Sequence, residues 1–412
     1  MHSEVNISLR ERIMKTLKER RERILNGNIN CIPFPFKRFR EDLPGVEQGC
    51  YYLISGSTKS GKTQITNYLF VFNTIMYCYY NPGKVNPKIL YFPLEETAEV
   101  ITLRFMSFVL NHLTKGKTRI SPTDLRSTNE NKPLPEEVLQ FMDSDKFIEI
   151  MNLYESVVTF YPDSNPTGIM KIVRNYMQSA GTVHYKDSQV KDDFGNLMTV
   201  KAHDYYVPND PNEYVMVIVD HCSLLTTEGG MDLRETIAKL SKYMVDLRNK
   251  YRCIPVIVQQ QSTETNNLEA FKQNKIRPTV AGLSDSKYPA RDCNVMLGIT
   301  NPFAFELPNY LGYDITKLRG RARFLEVVIN RNGIANTICS LLFDGAICSF
   351  KELPLPNTSE IAELYREINS PLSMIMMMLN NKKVPEKLSK FKFINYLCKL
   401  FKKNGEHCNY SR

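Results

Sequence analysis

The chain has 412 residues, of which 42% are hydrophobic and 24% are charged, and these are the proportions of a folded protein rather than of a disordered one. No stretch approaches the roughly 18 uninterrupted apolar residues of a membrane span, and the ten cysteines form no C-x-x-C pair, which argues against a membrane protein, a zinc site and a disulfide framework. The formal net charge is +9, and residues 382–412 hold nine Lys or Arg against two acids, so this tail is either a solvated surface or a contact for nucleic-acid phosphates.

The first predicted element is a basic amphipathic helix over residues 5–26, followed by Gly27. Its apolar side chains recur at three- to four-residue spacing or its multiples, and they are Leu9, Ile13, Leu17 and Ile24. Such a stripe needs an apolar surface to cover it. Together with the Pro-containing segment 32–36, the helix makes up a predicted N-terminal region, residues 1–42, of helix and linker.

Residues 43–352 are predicted to form an α/β core, because short β-branched and aromatic runs alternate with helical patterns. The predicted strands cover residues 51–55, 88–92, 214–220, 255–259, 295–299 and 324–330. This alternation favours a mostly parallel, twisted sheet with helices on both faces. The long interval at about residues 112–212 is interpreted as an insertion with helices of its own and a hairpin near residues 193–196.

The C-terminal region, residues 353–412, is predicted to be a helical, basic appendage of the core. One helical pattern covers residues 358–379 and ends in a Met-rich run, which is more typical of packing than of a binding surface. A second, basic helix is predicted over residues 382–403.

A phosphate-binding loop is predicted directly after the strand at residues 51–55. It fits G-x-x-x-x-G-K-[ST] between an apolar strand and a helical run, which is the context that this motif requires. Its residues are Gly56, Ser57, Thr58, Lys59, Ser60, Gly61, Lys62 and Thr63, with Gln64 next in the helix. The glycines let main-chain N–H groups turn toward a phosphate, Lys62 adds a full charge, and Thr63 offers a hydroxyl to Mg²⁺. The predicted cofactors are therefore ATP and Mg²⁺.

Two acids are candidates for the hydrolytic machinery. Asp220 ends an apolar strand, which is the position of a Walker B aspartate that holds the magnesium ion through its bound water. Glu95 follows the strand at residues 88–92 and is the candidate for orienting the attacking water. Glu96 and Glu99 are interpreted as acids that start a helix, where the helix dipole favours them.

These segments resemble those of the DnaB-type replicative DNA helicases, a family of hexameric motors with a RecA-like fold. Residues 94–99, L-E-E-T-A-E, are similar to the family's L-E-M-S-A-E, and this implies that Glu95 is the catalytic glutamate. Residues 254–261 resemble V-P-V-I-A-L-S-Q, whose last residue senses the γ-phosphate and links it to the DNA-binding loops. The resemblance gives that role to Gln261.

The resemblance covers about residues 40–350 and continues in two later segments. Residues 277–295 are similar to the family segment that runs from R-P to Q-D-A-D-V, and the loop before its end lines the DNA channel. Residues 327–333 resemble I-I-I-x-K-Q-R-N-G, which implies that Arg331 is an arginine finger for the neighbouring subunit's γ-phosphate. Two positions depart from the family: Ile329 replaces a lysine, and the channel-loop R-E-S-G reads S-D-S-K at residues 284–287.

Four basic residues are candidates for contact with DNA: Lys272, Lys275, Arg277 and Lys287. A motor must tolerate any base sequence, so its channel is expected to contact phosphates more than bases. The alternative is that these side chains are ordinary exposed lysines and arginines. The family also has a helix before the motor domain that docks on the adjacent subunit, and the helix at residues 5–26 resembles it in position and pattern.

The resemblance implies a hexameric ring that hydrolyses ATP at its subunit interfaces and moves 5′-to-3′ on single-stranded DNA during replication. A primase or a helicase loader is the further partner implied. The alternatives are a RecA-like recombinase or regulatory ring ATPase without unwinding activity, and a catalytically silent ring, which Ile329 suggests. A DNA-packaging motor is disfavoured because His221 follows Asp220 where a paired acid is expected. The protein is expected in the cytoplasm in which it is made, a host's if the chain is viral.

Overall fold

The computed structural model describes residues 8–191, 194–262 and 276–370. Its strands are β1 (Ile32–Pro33), β2 (Gly45–Val46), β3 (Tyr52–Gly56), β4 (Asn86–Pro93), β5 (Val158–Phe160), β6 (Gly181–Lys191), β7 (Leu197–Pro208), β8 (Glu213–Asp220), β9 (Ile254–Gln260), β10 (Val295–Thr300), β11 (Asn309–Tyr310), β12 (Tyr313–Asp314), β13 (Ala322–Asn330), β14 (Ile338–Asp344) and β15 (Ser349–Glu352). All six strands predicted from the sequence are present. The predictions omitted β5, β14 and β15, which are short or only partly buried.

The helices connect these strands. They are α1 (Leu9–Leu25), α2 (Phe39–Asp42), α3 (Lys62–Thr66), α4 (Asn73–Tyr80), α5 (Ala98–Leu113), α6 (Pro122–Leu125), α7 (Glu136–Met142), α8 (Asp145–Val157), α9 (Pro166–Ser179), α10 (Leu233–Tyr251), α11 (Tyr288–Asp292) and α12 (Ser359–Ile368). A π-helical stretch, Asn67–Phe72, joins α3 to α4. No helix in the described ranges is long and apolar enough to cross a membrane.

Nine strands form one sheet in the order β15-β14-β13-β10-β3-β9-β8-β4-β5. The strands from β10 to β5 run parallel to their neighbours, and β13, β14 and β15 extend the sheet in antiparallel pairing. Parallel strands need crossover connections, and the helices between them supply these. The predicted α/β class with a mostly parallel sheet is therefore confirmed.

Both faces of the sheet are buried, which explains why its strands are continuous apolar runs instead of alternating patterns. Adjacent residues of β3 point into different clusters, Ile54 into one and Leu53 into the other. The Ile54 cluster is rich in aromatic rings, such as those of Phe72 and Phe105, whose centroids are 5.2 Å apart. In the Leu53 cluster, α10 contributes Leu240 among others.

The region interpreted as an insertion is only partly outside the core. Its strand β5 pairs with β4 at the edge of the main sheet, and α8 packs into the aromatic cluster through Phe147 and Tyr154. Strands β6 and β7 form a long antiparallel hairpin that pairs with no strand of the main sheet. The predicted hairpin near residues 193–196 is the turn of this pair, although residues 192 and 193 themselves lie outside the described residues.

The predicted N-terminal helix is present as α1. A capping box formed by Ser8 and Glu11 satisfies its first main-chain N–H groups. None of its residues is buried, and its exposed apolar side chains are Leu9, Ile13, Met14, Leu17, Ile24 and Leu25. The helix is held mainly by polar contacts near its end, such as the bond from Arg23 to Asn212 Oδ1 at 2.7 Å.

A second compact unit consists of residues 309–319 and the chain from Pro354 onward. Within it, the main-chain N–H of Asp314 donates to the Tyr365 hydroxyl at 2.9 Å, and Arg319 donates to Asn369 Oδ1 at 2.9 Å. Of the helix predicted at residues 358–379, the structure shows α12. The rest of that prediction and the basic helix at residues 382–403 lie outside the described residues.

Candidate nucleotide-binding site

One edge of the sheet collects the residues predicted to bind and hydrolyse a nucleotide. The carboxyl ends of neighbouring parallel strands meet at this edge, because Gly56 pairs with Gln260 and Pro93 pairs with Asp220 in register. The phosphate-binding loop follows β3, Asp220 ends β8, and Glu95 follows β4. This is the edge at which open α/β sheets bind their ligands.

The loop from Gly56 to Thr63 has the backbone that a phosphate cradle requires. Gly61 has φ +100°, a conformation that favours glycine, and Lys59 has φ +60°. A Cβ added to Gly56 would lie 2.5 Å from Ser60 Oγ and 2.6 Å from the Ile299 carbonyl oxygen, so a side chain there cannot fit without movement. The motif glycines thus have a measurable steric reason.

Lys62 starts α3, and its ammonium lies inside the loop. Its Nζ donates to the Ser57 carbonyl oxygen at 3.1 Å. Burial lowers the pKa of Lys62, while the nearby carboxylates of Asp220 and Glu95 act in the opposite direction. A desolvated cation beside two acids is suited to bind a polyanion.

Asp220 is a nearly inaccessible carboxylate, 3% exposed. Its Oδ2 accepts a bond of 3.4 Å from the Tyr91 hydroxyl, whereas its buried Oδ1 has no hydrogen-bond partner among the described residues. Burial raises the pKa of Asp220 to about 7, and Thr63 and Lys62 partly oppose that effect. An unpartnered carboxylate oxygen beside the Thr63 hydroxyl is the type of oxygen ligand set that Mg²⁺ uses together with phosphates and water.

The two adjacent glutamates after β4 have different environments. Glu96 forms a bidentate ion pair with Arg104 on α5. Glu95 is more exposed, and its Oε2 lies 3.6 Å from Nε2 of the buried His221. Because Glu96 is already paired, the arrangement favours Glu95 as the carboxylate that meets a water.

Gln261 is buried behind the loop rather than extended into it. Its Nε2 donates to Ser55 Oγ at 2.8 Å and to the Thr279 carbonyl oxygen at 3.1 Å. The preceding residue, Gln260, donates from its side chain to Thr58 Oγ1 of the loop at 2.8 Å. Gln261 therefore ties the end of β3 to the segment near Thr279, and its role as a γ-phosphate sensor stays a prediction.

Arg331 lies at the opposite end of the sheet from the loop. It follows β13, whose Asn330 pairs with Val295, whereas Phe324 pairs with Thr300 at the loop end. The strand rise of about 3.3 Å per residue puts these two ends roughly 15 to 20 Å apart. The exposed Arg331 donates to main-chain carbonyls of its own chain, including that of Cys293 at 2.7 Å. It cannot reach the phosphate loop of the same chain.

The basic residues proposed for DNA are placed unevenly. Lys272 and Lys275 lie outside the described residues. Arg277 forms a bidentate ion pair with Glu326, with Nε and Oε2 2.7 Å apart, so its charge is already neutralised within the chain. Lys287 is exposed at the start of α11. Its contact with DNA stays a prediction.

Sequence reasoning did not assign two residues that touch this site. His221 was interpreted as structural, although its side chain lies beside Glu95; its position directly after Asp220 is the signal that could have identified it. Arg323 is buried against the loop, and Asn301 lies between Arg323 and Lys59. No local motif marks these last two, because they reach the loop from more than 200 residues away in the chain.

Comparison with solved structures finds this fold in an isolated ATPase domain, with a TM-score of 0.56 and 13% sequence identity over 84% of this chain and 99% of that one. A DnaB-like replicative helicase, described with its interactions with primase, gives a TM-score of 0.56 and 12% identity over 84% of this chain and 67% of that one. No protein-family model matches the sequence, and no curated protein sequence does. At these identities the likeness establishes the fold, and the RecA-like ATPase fold expected from the sequence resemblance is thereby confirmed.

Proposed function

We propose that this protein is a DnaB-type motor that hydrolyses ATP and moves on single-stranded DNA in replication. The observation that carries the proposal is the convergence of Lys62, Thr63, Asp220 and Glu95 at one sheet edge, with Arg331 at the opposite end of the sheet. One chain holds a phosphate cradle without an arginine finger and a finger without a cradle. A second copy of the chain can complete both.

The chain's own groups divide the work of hydrolysis. Main-chain N–H groups of residues 56–63 and the Lys62 ammonium bind the phosphates, and Thr63 and Asp220 hold the metal ion. Magnesium, when bound, supplies positive charge that neutralises the phosphate oxygens. Glu95 accepts the proton of the attacking water as its oxygen bonds to the γ-phosphorus and the bond to the bridging oxygen breaks.

Assembly follows from the position of Arg331. Its guanidinium would reach the γ-phosphate of an adjacent subunit, and such residues increase the rate by roughly 10³ to 10⁵ where measured. A hexameric ring is the arrangement that the sequence resemblance implies. The exposed apolar side chains of α1 are suited to lie on the same neighbouring subunit. Single-stranded DNA is the proposed substrate, and a primase or a helicase loader is the proposed further partner.

The catalytic assignment is tested by ATP hydrolysis with and without single-stranded DNA. Lys62→Ala should abolish nucleotide binding because it removes the ammonium that lies inside the loop. Glu95→Gln should lower the rate by about 10² to 10⁴ at nearly unchanged ATP affinity, because it removes a general base and leaves the cradle intact. Glu99→Gln, an exposed acid of the same segment, is the matched control.

Unwinding is tested separately on forked DNA with either a 5′ or a 3′ tail. Strand displacement that requires ATP, Glu95 and a 5′ tail supports the helicase proposal. Hydrolysis without displacement on either fork contradicts it and favours a ring ATPase with another task. Electron microscopy with an ATP analogue distinguishes closed rings from the open filaments of a recombinase.

A further inference from the structure

The phosphate loop leaves main-chain carbonyls that need hydrogen-bond donors. If the N–H groups of residues 59–61 turn toward a phosphate, their carbonyls turn away from it and into the protein. Two side chains from outside the loop supply donors on that side. Asn301 Nδ2 donates to the Lys59 carbonyl oxygen at 3.3 Å, and Arg323 Nε donates to the Ser60 carbonyl oxygen at 2.9 Å.

Arg323 itself is unusual because it is buried without an opposite charge. Its side chain, 7% exposed, donates through Nη1 to Asn301 Oδ1 at 3.0 Å and to the main-chain oxygens of Gly320 and Ala322. Its guanidinium also lies over the Phe343 ring, 5.1 Å from the centroid. No carboxylate of the described residues forms an ion pair with it, whereas Arg321, two positions away, pairs with Asp344.

A buried cation with only neutral partners costs free energy unless an anion compensates it. Burial lowers the pKa of Arg323 to about 10, so the side chain is still charged at neutral pH. The nearest part of the structure that is built to receive an anion is the loop whose Ser60 carbonyl Arg323 already holds. A triphosphate on the other side of that thin loop would provide the missing negative charge.

We propose that Arg323 is a positioning residue for the nucleotide: with Asn301 it holds the Lys59 and Ser60 carbonyls behind the phosphate loop, and its unpaired charge strengthens the binding of phosphate. This inference rests on the proposed function, since it requires that the loop binds ATP. Arg323 does not touch the nucleotide. Its effect on binding passes through the orientation of the loop and through the electric field.

The test measures binding of fluorescent ATP and ADP analogues to the full-length chain. Arg323→Met removes both the bonds and the charge and should weaken ATP binding about 10- to 100-fold, because hydrogen bonds that involve a charged group are the strong ones. Arg323→Lys keeps the charge but cannot reproduce the planar fork, so a smaller loss of about 3- to 10-fold is expected. The loss for ATP should exceed the loss for ADP, since the charge acts on the more negative ligand more strongly.

Arg321→Met is the matched control, because that arginine pairs with Asp344 and does not contact the loop. It should leave both affinities unchanged. Asn301→Ala should reproduce part of the Arg323→Lys effect, and it tests the inference even if Arg323→Met does not fold. A purely structural role for Arg323 would lower the melting temperature and leave the affinity of the folded protein at wild-type level.

The outcomes separate the inference from the proposed function. Wild-type affinity in Arg323→Lys and Asn301→Ala, with Lys62→Ala inactive, would overturn only the inference. Equal losses for ATP and ADP would overturn its electrostatic part. A wild-type protein that binds no nucleotide at all would overturn both. Graded losses in the order Met, Lys and control, larger for ATP, support the inference.

Discussion

Asp220 combines two properties that conflict in the absence of a ligand. One of its oxygens is buried without a donor, and burial raises its pKa to about 7. A carboxyl group whose pKa is higher in the folded than in the unfolded state stabilises the fold at low pH. That contribution is complete below the unfolded value near 4 and is lost as the pH rises through 7.

Asp220→Asn should therefore stabilise the ligand-free protein at pH 8 by on the order of 1 kcal/mol, because the amide removes the cost of a buried charge. The gain is limited because Asp220 also compensates Lys62. Thermal unfolding at pH 5 and pH 8 without Mg²⁺ measures the effect, and the difference between variants should be smaller at pH 5. A variant less stable than wild type at pH 8 would refute this account of Asp220. ATP hydrolysis should be lost in either case.

At the scale of secondary structure elements, the hairpin of β6 and β7 stands apart from the core. Only its base is packed: the Tyr206 hydroxyl donates to the Met177 carbonyl oxygen at 2.9 Å, and the Tyr206 ring lies against that of Tyr251. Its distal half is exposed, and Phe194 near the turn is 90% exposed. The distal half therefore contributes little to the stability of the core.

Shortening this hairpin should leave the core intact. Replacing residues 187–201 by Asn-Gly keeps Lys186 opposite Ala202, and these two residues already form a pair in the ladder. Asn-Gly is a preferred two-residue connection for such strands. The melting temperature should change by no more than about 2 to 4 °C, since under 1 kcal/mol of packing is removed, and ATP affinity should be unchanged. A large loss of stability, measured by thermal unfolding, would show that the distal hairpin packs on the core.

At the scale of the whole molecule, a single strand relates two distant functional points. Strand β13 carries Arg323 against the phosphate loop at one end and is followed by Arg331 at the other. Ile329, which stands where the resembled family has lysine, packs against the apolar cluster of that sheet face. Hydrolysis in this arrangement requires that the Arg331 end of one chain faces the phosphate loop of the next.

Mixing two inactive variants tests that arrangement. Arg331→Ala and Glu95→Gln should each lose hydrolysis alone, whereas an equal mixture should regain activity because some interfaces then combine an intact Glu95 with an intact Arg331. With random assembly, about a quarter of the interfaces are intact, which sets the upper limit of recovery in independent sites.

A mixture of Lys62→Ala with Glu95→Gln is the control for this experiment. Both changes lie in the same cradle, so every cradle in the mixed assembly carries one defect and no activity should return. No recovery with Arg331→Ala, in assemblies proved to be mixed, would contradict a finger that acts across subunits.

Much of the fold and part of the site are local properties of the sequence. Apolar runs such as residues 215–219 predict buried strands wherever they occur, and the loop at residues 56–63 is defined by glycines and a lysine at fixed spacing. Neither depends on distant residues, because backbone freedom and apolar burial are encoded position by position. The six main strands and the phosphate loop could thus be predicted before any coordinates were known.

Only the tertiary structure decided which groups meet around that loop. The pairing of Glu96 with Arg104, the unpartnered oxygen of Asp220 and the bond from Arg323 to Ser60, 263 residues away in the chain, all depend on how strands are ordered in the sheet. Strand order is a long-range property, since it is determined by the packing of whole elements rather than by the residues of one segment. By itself the sequence determined a phosphate-binding α/β core, and the sheet determined which side chains share its pocket.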